Sequence, residues 1–346
     1  MIFSSDNWAG ADPVIAERLA AAASGYQPAY GTGPLDRKVE ATFSEIFERE
    51  VAIFFVGTGT AANSLALASV NRPGGQVFCH REAHVAVDEC GAPEFFSTGS
   101  RLVGIDGAFG RMDPAALDAA ARRAAAGSVH NGQAMAITLT QATEAGTTYT
   151  LDDIATIGAI ARDHGLPLHM DGARFANALV HLGTTPAEMT WKRGVDLLSF
   201  GATKNGCWCA EALVVFDPAK AAPLHYLRKR SAQLFSKSRF IAAQFDAYFE
   251  DGRWLRLAAH ANAMAARLAD GIAAADAARL AWPTGSNEVF AILSQAAAEG
   301  LRARGAVFYD WPAPHGVVIG ADEVMIRLVT SFAMQPADVD AFIAGL

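Results

Sequence analysis

The sequence Val-Ala-Ile-Phe-Phe-Val-Gly-Thr-Gly-Thr-Ala-Ala, at residues 51–62, decides the fold that we expect for this chain. An apolar run comes first, a glycine-rich turn follows, and small residues then continue without a charge to Val70. This order predicts a buried strand, a tight turn and a helix, which is the repeating unit of a parallel sheet. The uncharged stretch is long enough to cross a membrane, but the glycines and Asn63-Ser64 interrupt it and argue against a span.

The same alternation continues to Phe216. Short apolar runs predict strands, and helical patterns such as Pro114–Ala126 and Asp152–His164 lie between most of them. This alternation predicts an α/β fold with a mainly parallel, seven-stranded sheet between two layers of helices. The predicted strands are Val51–Val56, Gln76–Cys79, Leu102–Ile105, Ala134–Thr140, Pro167–Met170, Leu197–Phe200 and Ala212–Phe216.

The pattern changes after Phe216. Residues 218–275 have the charged, alanine-rich composition of long helices, and short strands with one helix follow before a last helix behind Gln335-Pro336. We therefore expect two domains: residues 1–250 as an N-terminal arm with a large domain, and residues 251–346 as a small α+β domain. The strands predicted in the small domain are Glu288–Leu293, Val307–Trp311, Val317–Ile319 and Met325–Thr330.

The composition excludes several classes of function. The 346 residues include 28 Lys and Arg against 36 Asp and Glu, and a net charge of −8 argues against general binding to nucleic-acid phosphates. The first ten residues lack the basic and apolar regions of a signal peptide, and four cysteines fit reduced thiols in the cytoplasm. Cys207 and Cys209 are too close together for an ordinary zinc site, so we expect no metal site.

The first segment that can carry chemistry is the turn Gly57–Ala62. Its glycines let the backbone approach an anion, and the start of the following helix supplies free N–H groups. Three interpretations stay open from these residues. They are a dinucleotide site of the G-x-G-x-x-A type with Glu82 on a ribose, a site for a single phosphate, and a turn that only needs glycine.

The second segment is His-Met-Asp-Gly-Ala-Arg at residues 169–174. Asp171 falls at the end of a predicted strand, where the ligand crevice of an α/β sheet lies, and its carboxylate can hold a protonated pyridine nitrogen. Arg174 can bind a carboxylate through two parallel hydrogen bonds. A purely structural Asp–Arg pair explains the same residues equally well.

The third segment presents Lys204 in a small-residue turn after the predicted strand Leu197–Phe200. A lysine placed in this way can form a Schiff base with an aldehyde cofactor, and a surface lysine on a turn is the alternative. Taken in order along the chain, a phosphate cradle, the strand-end Asp171 and Lys204 are what a pyridoxal 5'-phosphate enzyme needs. A nicotinamide enzyme needs neither this lysine nor this aspartate.

Several motifs together resemble the L-threonine aldolases, which are pyridoxal-phosphate-dependent enzymes of fold type I within the wider group of β-eliminating lyases. The resemblance covers nearly the whole chain. The matching segments are Ser5-Asp6-Asn7 with Gly10, Tyr30-Gly31, Gly57–Asn63, Ala83-His84, Asp88–Gly91, Asp171–Arg174, Thr203–Gly206 and Met325–Thr330 with Arg327.

The resemblance implies a role for each matching residue. Lys204 would carry the cofactor, Asp171 would hold its ring nitrogen, and His84 would stack on its ring within reach of a substrate hydroxyl. The implied cofactor-binding residues are Thr58, Gly59, Thr60, His84, Asp171, Arg174 and Lys204, and the implied substrate-binding residues are Ser5, Tyr30, Arg174 and Arg327.

Two segments depart from the pattern of the family. Glu144 stands where many members carry a histidine that is discussed as a catalytic base, so the base is His84, Glu144 or a water molecule. The segment Gln233–Lys237 lacks the glycines and the arginine of its familiar version. Lys229, Arg230 and Lys237 are then the candidates for contacts with the phosphate or with an adjacent subunit.

The implied activity is cleavage of L-threonine, L-allo-threonine or a related β-hydroxy-α-amino acid to glycine and an aldehyde. The resemblance also implies a cytoplasmic homodimer or homotetramer with shared active sites. Two alternatives remain: a pyridoxal-phosphate enzyme of another reaction type, such as a β-eliminating lyase or an aminotransferase, and a nicotinamide oxidoreductase that uses Gly57–Ala62.

Overall fold

The computed structural model describes residues 1–125, 127–314 and 317–346. The strands of its large sheet are β1 (Ala52–Val56), β2 (Gln76–His80), β3 (Arg101–Ile105), β4 (Ala134–Thr140), β5 (Leu168–Gly172), β6 (Leu197–Gly201) and β7 (Glu211–Val215). They lie in the order β1-β7-β6-β5-β4-β2-β3, and β7 pairs antiparallel with β1 and β6 while the other strands are parallel. The predicted α/β fold with a mainly parallel, seven-stranded sheet is confirmed.

Helices cover both faces of this sheet, and their starts follow capping chemistry. Asp12 accepts backbone N–H groups at the start of the first helix, and Thr150 with Asp153 forms a reciprocal capping box. The helices are α1 (Pro13–Ala21), α2 (Pro34–Ile46), α3 (Gly59–Ser69), α4 (His84–Val87), α5 (Ala92–Phe96), α6 (Pro114–Ala125), α7 (Leu151–Asp163), α8 (Phe175–Leu182), α9 (Pro186–Met189), α10 (Ala222–Arg230), α11 (Arg239–Phe249), α12 (Arg253–Ala274), α13 (Gln295–Ala303) and α14 (Pro336–Ile343). The last residue of the helix predicted at Pro114–Ala126 lies outside the described residues.

The two faces of the large sheet have different cores. One face holds an aromatic cluster in which the rings of Phe200 and Phe245 lie 5.3 Å and 5.2 Å from the ring of Phe43. The other face packs Phe54 of β1 and Leu213 of β7 against Leu65 of α3. Burial on both faces explains why the strands read as continuous apolar runs rather than alternating ones.

A second, antiparallel sheet holds β8 (Ala278–Leu280), β9 (Glu288–Ser294), β10 (Tyr309–Asp310) and β11 (Glu323–Val329), in the order β10-β11-β9-β8. The prediction of a strand at Val317–Ile319 is wrong. Val318 is 85% exposed, and no strand of the described residues pairs with this apolar run. Sequence reasoning also missed β8, whose three residues are too short to show a period.

The N-terminal arm packs on this second sheet. Phe3 donates its N–H to Val307 and accepts one from Val329 through its carbonyl, and its ring lies 5.0 Å from the ring of Phe342. The arm therefore brings the 3₁₀ turn Asp6–Trp8 to the junction of the two sheets. Within the described ranges, no helix is long and apolar enough to cross a membrane.

Candidate active site

The candidate site lies where the parallel strands of the large sheet end. Because β1, β2, β4, β5 and β6 all point the same way, the segments that follow them meet at one edge of the sheet. A cavity of about 270 Å³ opens at this edge. Among the described residues, those that line it are Asn7, Gly57, Thr58, Gly59, Thr60, Asn63, His84, Glu89, Asp171, Ala173, Thr203, Lys204 and Glu211.

The turn after β1 is built as an anion cradle. Thr58 caps α3 by accepting the N–H of Ala61 at 3.1 Å, and a Cβ added at Gly59 would meet no heavy atom within 4 Å. The backbone at Gly59 is thus open to the cavity, at the positive end of an 11-residue helix. From outside the turn, Gln233 Oε1 accepts the N–H of Gly57 at 3.0 Å.

Lys204 lies in a 3₁₀ turn, Thr203–Asn205, directly after β6. The end of β6 runs so close to the end of β5 that a Cβ at Gly201 would come within 2.7 Å of the carbonyl oxygen of Ala173. Asn205 anchors the turn by donating to Tyr248 Oη at 2.7 Å and to the carbonyl of Trp254 at 2.9 Å. In the described part of the chain Lys204 makes no ion pair, so its amine is available to a ligand.

Asp171 is buried at the end of β5. Its Oδ2 accepts from Asn63 Nδ2 at 3.0 Å, and its Oδ1 accepts the N–H of Ala173 at 3.0 Å. Burial raises the pKa of Asp171 above its usual range, and the negative charge of Glu89 raises it further. A protonated nitrogen placed against this carboxylate would oppose both effects and favour its charged form.

His84 begins α4 and lines the same cavity as Lys204. Its Nδ1 is 2.9 Å from Oε1 of the buried Glu89, and the same oxygen accepts from Asn63 Nδ2 at 2.8 Å. The hydrogen bond to Glu89 raises the pKa of His84, although burial of the ring opposes the effect. Asn63 thus links the carboxylates of Glu89 and Asp171 through one amide nitrogen.

The two arginines of the expected site differ in how they are bound. Arg174 is buried, and Asp6 accepts from its Nε at 2.8 Å and from its Nη2 at 3.1 Å, while Glu288 lies 3.2 Å from its Nη1. Arg327 stacks on the ring of Trp311 at 4.2 Å, and its nearest carboxylate, Glu288, is 3.9 Å away. Of the two, Arg327 has the guanidinium that is free to take a new carboxylate.

The remaining expected residues are placed as follows. Ser5 begins the turn Asp6–Trp8, which packs against the Lys204 turn, but its Oγ accepts the N–H of Asn7. Glu144 lies near enough to raise the pKa values of His84 and Asp171 through its charge. Tyr30 is 50% exposed and does not line the cavity as far as the chain is described.

Sequence reasoning missed several polar residues at the site. Asn63 and Glu89 lay inside quoted motifs, yet their bridge joins segments that only the fold brings together. Glu211 lines the cavity beside Lys204, and burial raises its pKa to about 7. Asp6, which lay inside a quoted motif, and Glu288 bind Arg174 from the arm and from β9, and no spacing in the sequence indicated these contacts. No group of three metal ligands was found among the residues described.

Comparison with known proteins decides the family. The model of the beta-eliminating lyase family matches residues 3–296, which is most of the chain. This chain belongs to the beta-eliminating lyase family. Its fold is that of the type I pyridoxal-phosphate enzymes, and the family consists of pyridoxal-phosphate-dependent lyases.

Three known proteins are similar to this chain over most of its length. It is 44% identical to the low specificity L-threonine aldolase of Pseudomonas aeruginosa over 89% of both chains, and 42% identical to that of a Pseudomonas species over 89% of both. The structure of threonine aldolase from Leishmania major superposes with a TM-score of 0.92 at 29% identity, covering 99% of this chain and 97% of the other.

The residues of this lyase chain fit the family cofactor. The open backbone at Gly59 offers a binding position for the phosphate. The buried carboxylate of Asp171, whose pKa is raised, offers a partner for the ring nitrogen. Lys204 lines the same cavity, and its amine has no ionic partner among the described residues. These features belong to the edge of the sheet where ligands of α/β folds bind.

Proposed function

We propose that this protein is an L-threonine aldolase that cleaves L-threonine, L-allo-threonine and related β-hydroxy-α-amino acids to glycine and an aldehyde. The observation that carries the proposal is the position of Lys204, whose amine has no ionic partner among the described residues and shares one cavity with the buried Asp171. The names of the Pseudomonas and Leishmania relatives support the same reaction.

Some residues of the site hold the cofactor, and others hold the substrate. Bound pyridoxal phosphate supplies an electron sink for cleavage of the Cα–Cβ bond. Thr58, Gly59 and Thr60 would hold its phosphate at the start of α3, Lys204 would be its point of attachment, and Asp171 would favour a protonated ring nitrogen. The protein therefore contributes orientation and electrostatics rather than the sink itself.

Arg327 and Ser5 hold the carboxylate of the substrate in this proposal. Arg327 presents a guanidinium whose best contact is a ring face, and a planar fork of this kind binds a carboxylate through two hydrogen bonds. Arg174 was expected to share this task and to touch the cofactor. Because Asp6 and Glu288 already bind three of its nitrogens, we assign it to fixing the arm beside Lys204.

His84 removes the proton of the β-hydroxyl group. Its Nδ1 faces the carboxylate of Glu89, so Nδ1 carries the hydrogen and Nε2 is the basic nitrogen that is left for the substrate. Glu144 is the second candidate for this base, because its charge acts on His84 and Asp171 from the loop after β4.

We also propose a cytoplasmic homodimer or homotetramer in which Tyr30 serves the site of a neighbouring subunit. Tyr30 is half exposed, its ring lies 5.5 Å from Lys229 Nζ, and both lie outside the described lining of the cavity of their own chain. The free cysteines agree with a reducing compartment. Residues 1–250 would form the arm and cofactor-binding domain, and residues 251–346 the small domain.

The experiment is a pair of product assays on the purified, cofactor-loaded protein. L-threonine should yield acetaldehyde and glycine, whereas an aminotransferase would yield a keto acid from an amino-group acceptor. Lys204→Ala should fold, lose the visible absorbance that borohydride removes, and lose turnover. Full turnover by Lys204→Ala, or a keto acid as the main product, would overturn the proposal.

A further inference from the structure

Glu288 is a buried acid whose negative charge is poorly matched. It begins β9, and its side chain has no exposed surface. One oxygen lies 3.2 Å from Arg174 Nη1 and the other 3.9 Å from Arg327 Nη1, and neither accepts a hydrogen bond of good geometry from the described residues. A buried carboxylate is stable only when its charge is compensated, so this acid depends on the two arginines.

The charged groups that face Glu288 come from four elements. They are Asp6 of the arm, Arg174 at the start of α8, Arg327 of β11, and Glu144 of the loop after β4. This loop packs directly on Glu288, because a Cβ at Gly146 would come within 2.9 Å of the Glu288 Cβ. Three carboxylates therefore surround two guanidinium groups, and the positive charge of Lys204 acts on Asp6.

The negative charge of Glu288 is less well compensated than that of Asp6. Asp6 already takes two short hydrogen bonds from Arg174 and a third from Asn287 Nδ2 at 3.0 Å, and its pKa is lowered. Burial raises the pKa of Glu288 to about 7, and Arg174 and Arg327 oppose that rise while Glu144 adds to it. Glu288 is the member of the cluster that can exchange a proton near neutral pH.

We propose that Glu288 takes up a proton from solvent when the carboxylate of an amino acid binds at Arg327. The inference rests on the proposed function, since it takes Arg327 as the carboxylate site. A bound carboxylate would add a fourth negative charge and would compete with Glu288 for the same guanidinium. Protonation of Glu288 removes that competition without moving either arginine, and no covalent bond forms or breaks.

The proposal predicts how amino-acid affinity depends on pH. Where Glu288 is ionised in the free protein, each additional pH unit should weaken binding by up to about tenfold, because one proton must be taken up. Glu288→Gln mimics the protonated acid, so it should remove that part of the pH dependence and bind more tightly than wild type at alkaline pH. The remaining pH dependence belongs to the amino group and the cofactor, and it is common to both proteins.

The test is calorimetric titration of the cofactor-loaded protein with glycine, in buffers of different ionisation enthalpy at about pH 8. The number of protons taken up by wild type should exceed that of Glu288→Gln by close to one. Glu299→Gln, an exposed Glu of α13, is the matched control and should behave as wild type. Equal proton numbers for wild type and Glu288→Gln would overturn the inference.

Two further measurements keep the outcome interpretable. Arg327→Ala tests the proposed carboxylate site itself: unchanged glycine binding by this variant contradicts the proposed function, whereas weakened binding with no Glu288 proton contradicts only this inference. If Glu288→Gln does not fold, infrared difference spectra of wild type replace it. A protonated carboxylic-acid band should appear when glycine binds, and its absence would overturn the inference.

Discussion

His84 and Glu89 are joined by a hydrogen bond in which Nδ1 of the imidazole lies 2.9 Å from Oε1 of a carboxylate that has no exposed surface. The bond fixes the tautomer of a histidine that faces the cavity and raises its pKa. Asn63 holds the same carboxylate in place and connects it to Asp171. Two side chains, Glu89 and Asn63, thus connect and orient the candidate base and the candidate partner of the cofactor.

Replacing His84 by Phe separates stacking from base catalysis. A phenyl ring keeps most of the stacking on a cofactor but has no basic nitrogen. We expect His84→Phe to bind pyridoxal phosphate nearly as well as wild type and to cleave L-threonine at least about a hundredfold more slowly, the low end of the range for general base catalysis. Steady-state kinetics and the absorbance of the bound cofactor measure the two effects.

Glu144→Gln is the matched comparison for this experiment. If His84→Phe loses little activity and Glu144→Gln loses the large factor, the base is Glu144 or a water that it orients. The charge of Glu144 reaches His84, so a small loss in Glu144→Gln agrees with either assignment and only the ranking of the two variants decides.

Glu89→Gln should shift the acid limb of the pH profile of kcat/KM to lower pH. A base acts in its neutral form, and the bond to Glu89 raises the pKa of His84, so the acid limb of kcat/KM should lie above the ordinary histidine value. Without the carboxylate, the limb should shift to lower pH. The profile of Asp88→Asn, an exposed neighbour, serves as the control. An unmoved limb in Glu89→Gln would mean that another group titrates there.

Arg327→Lys tests the carboxylate clamp. Lysine lacks the planar fork of arginine, and a lost hydrogen bond to a charged group costs about 1.5–3 kcal/mol, so kcat/KM for L-threonine should fall at least about tenfold. The affinity for cofactor should stay unchanged. Arg302, which also stacks on an aromatic ring, Phe308, is the matched control as Arg302→Lys. Wild-type kinetics in Arg327→Lys would remove this arginine from the site.

His169 gives a prediction about stability in acid. The ring is buried between the hydroxyls of Thr138 and Ser199, and burial lowers its pKa to about 3. Between about pH 6.5 and 3 the unfolded chain binds a proton here that the folded chain does not, so stability falls as the pH falls. This group should contribute about 1.4 kcal/mol per pH unit to that loss.

Urea unfolding of the cofactor-free protein at several pH values measures this slope. His169→Gln should show a shallower dependence across the window, whereas His130→Gln, at an exposed position, should follow wild type. Equal slopes in His169→Gln and wild type would show that the unfolded state does not gain this proton.

Sequence predicted the parts of the site that follow single strands. Gly57–Thr60, Asp171 and Lys204 each stand next to a buried apolar run, so the common direction of the parallel strands was enough to bring them together. The bridge from Glu89 through Asn63 joins three segments of the chain, and no spacing encodes it.

The roles of Arg174 and Arg327 also could not be predicted from the sequence alone. Their identity was visible in the sequence, but their availability depends on which acids the fold places beside them. Asp6 comes from the N-terminal arm and Glu288 from β9, far apart in the sequence, and both bind Arg174. The error at Val317–Ile319 has a related cause, since an apolar run forms a strand only where a partner strand lies next to it.

The contact between Gln233 and Gly57 has a consequence for the phosphate turn. The amide side chain bonds the first N–H of the phosphate turn, and a Cβ at Gly57 would lie 3.0 Å from the ring of Phe235, so these residues cover the turn from outside. We expect substitutions of Gln233 or Phe235 to change how firmly the backbone of this turn is held, and with it the affinity for a phosphate. A segment that departs from the family pattern would then act on cofactor affinity from outside the described lining of the cavity.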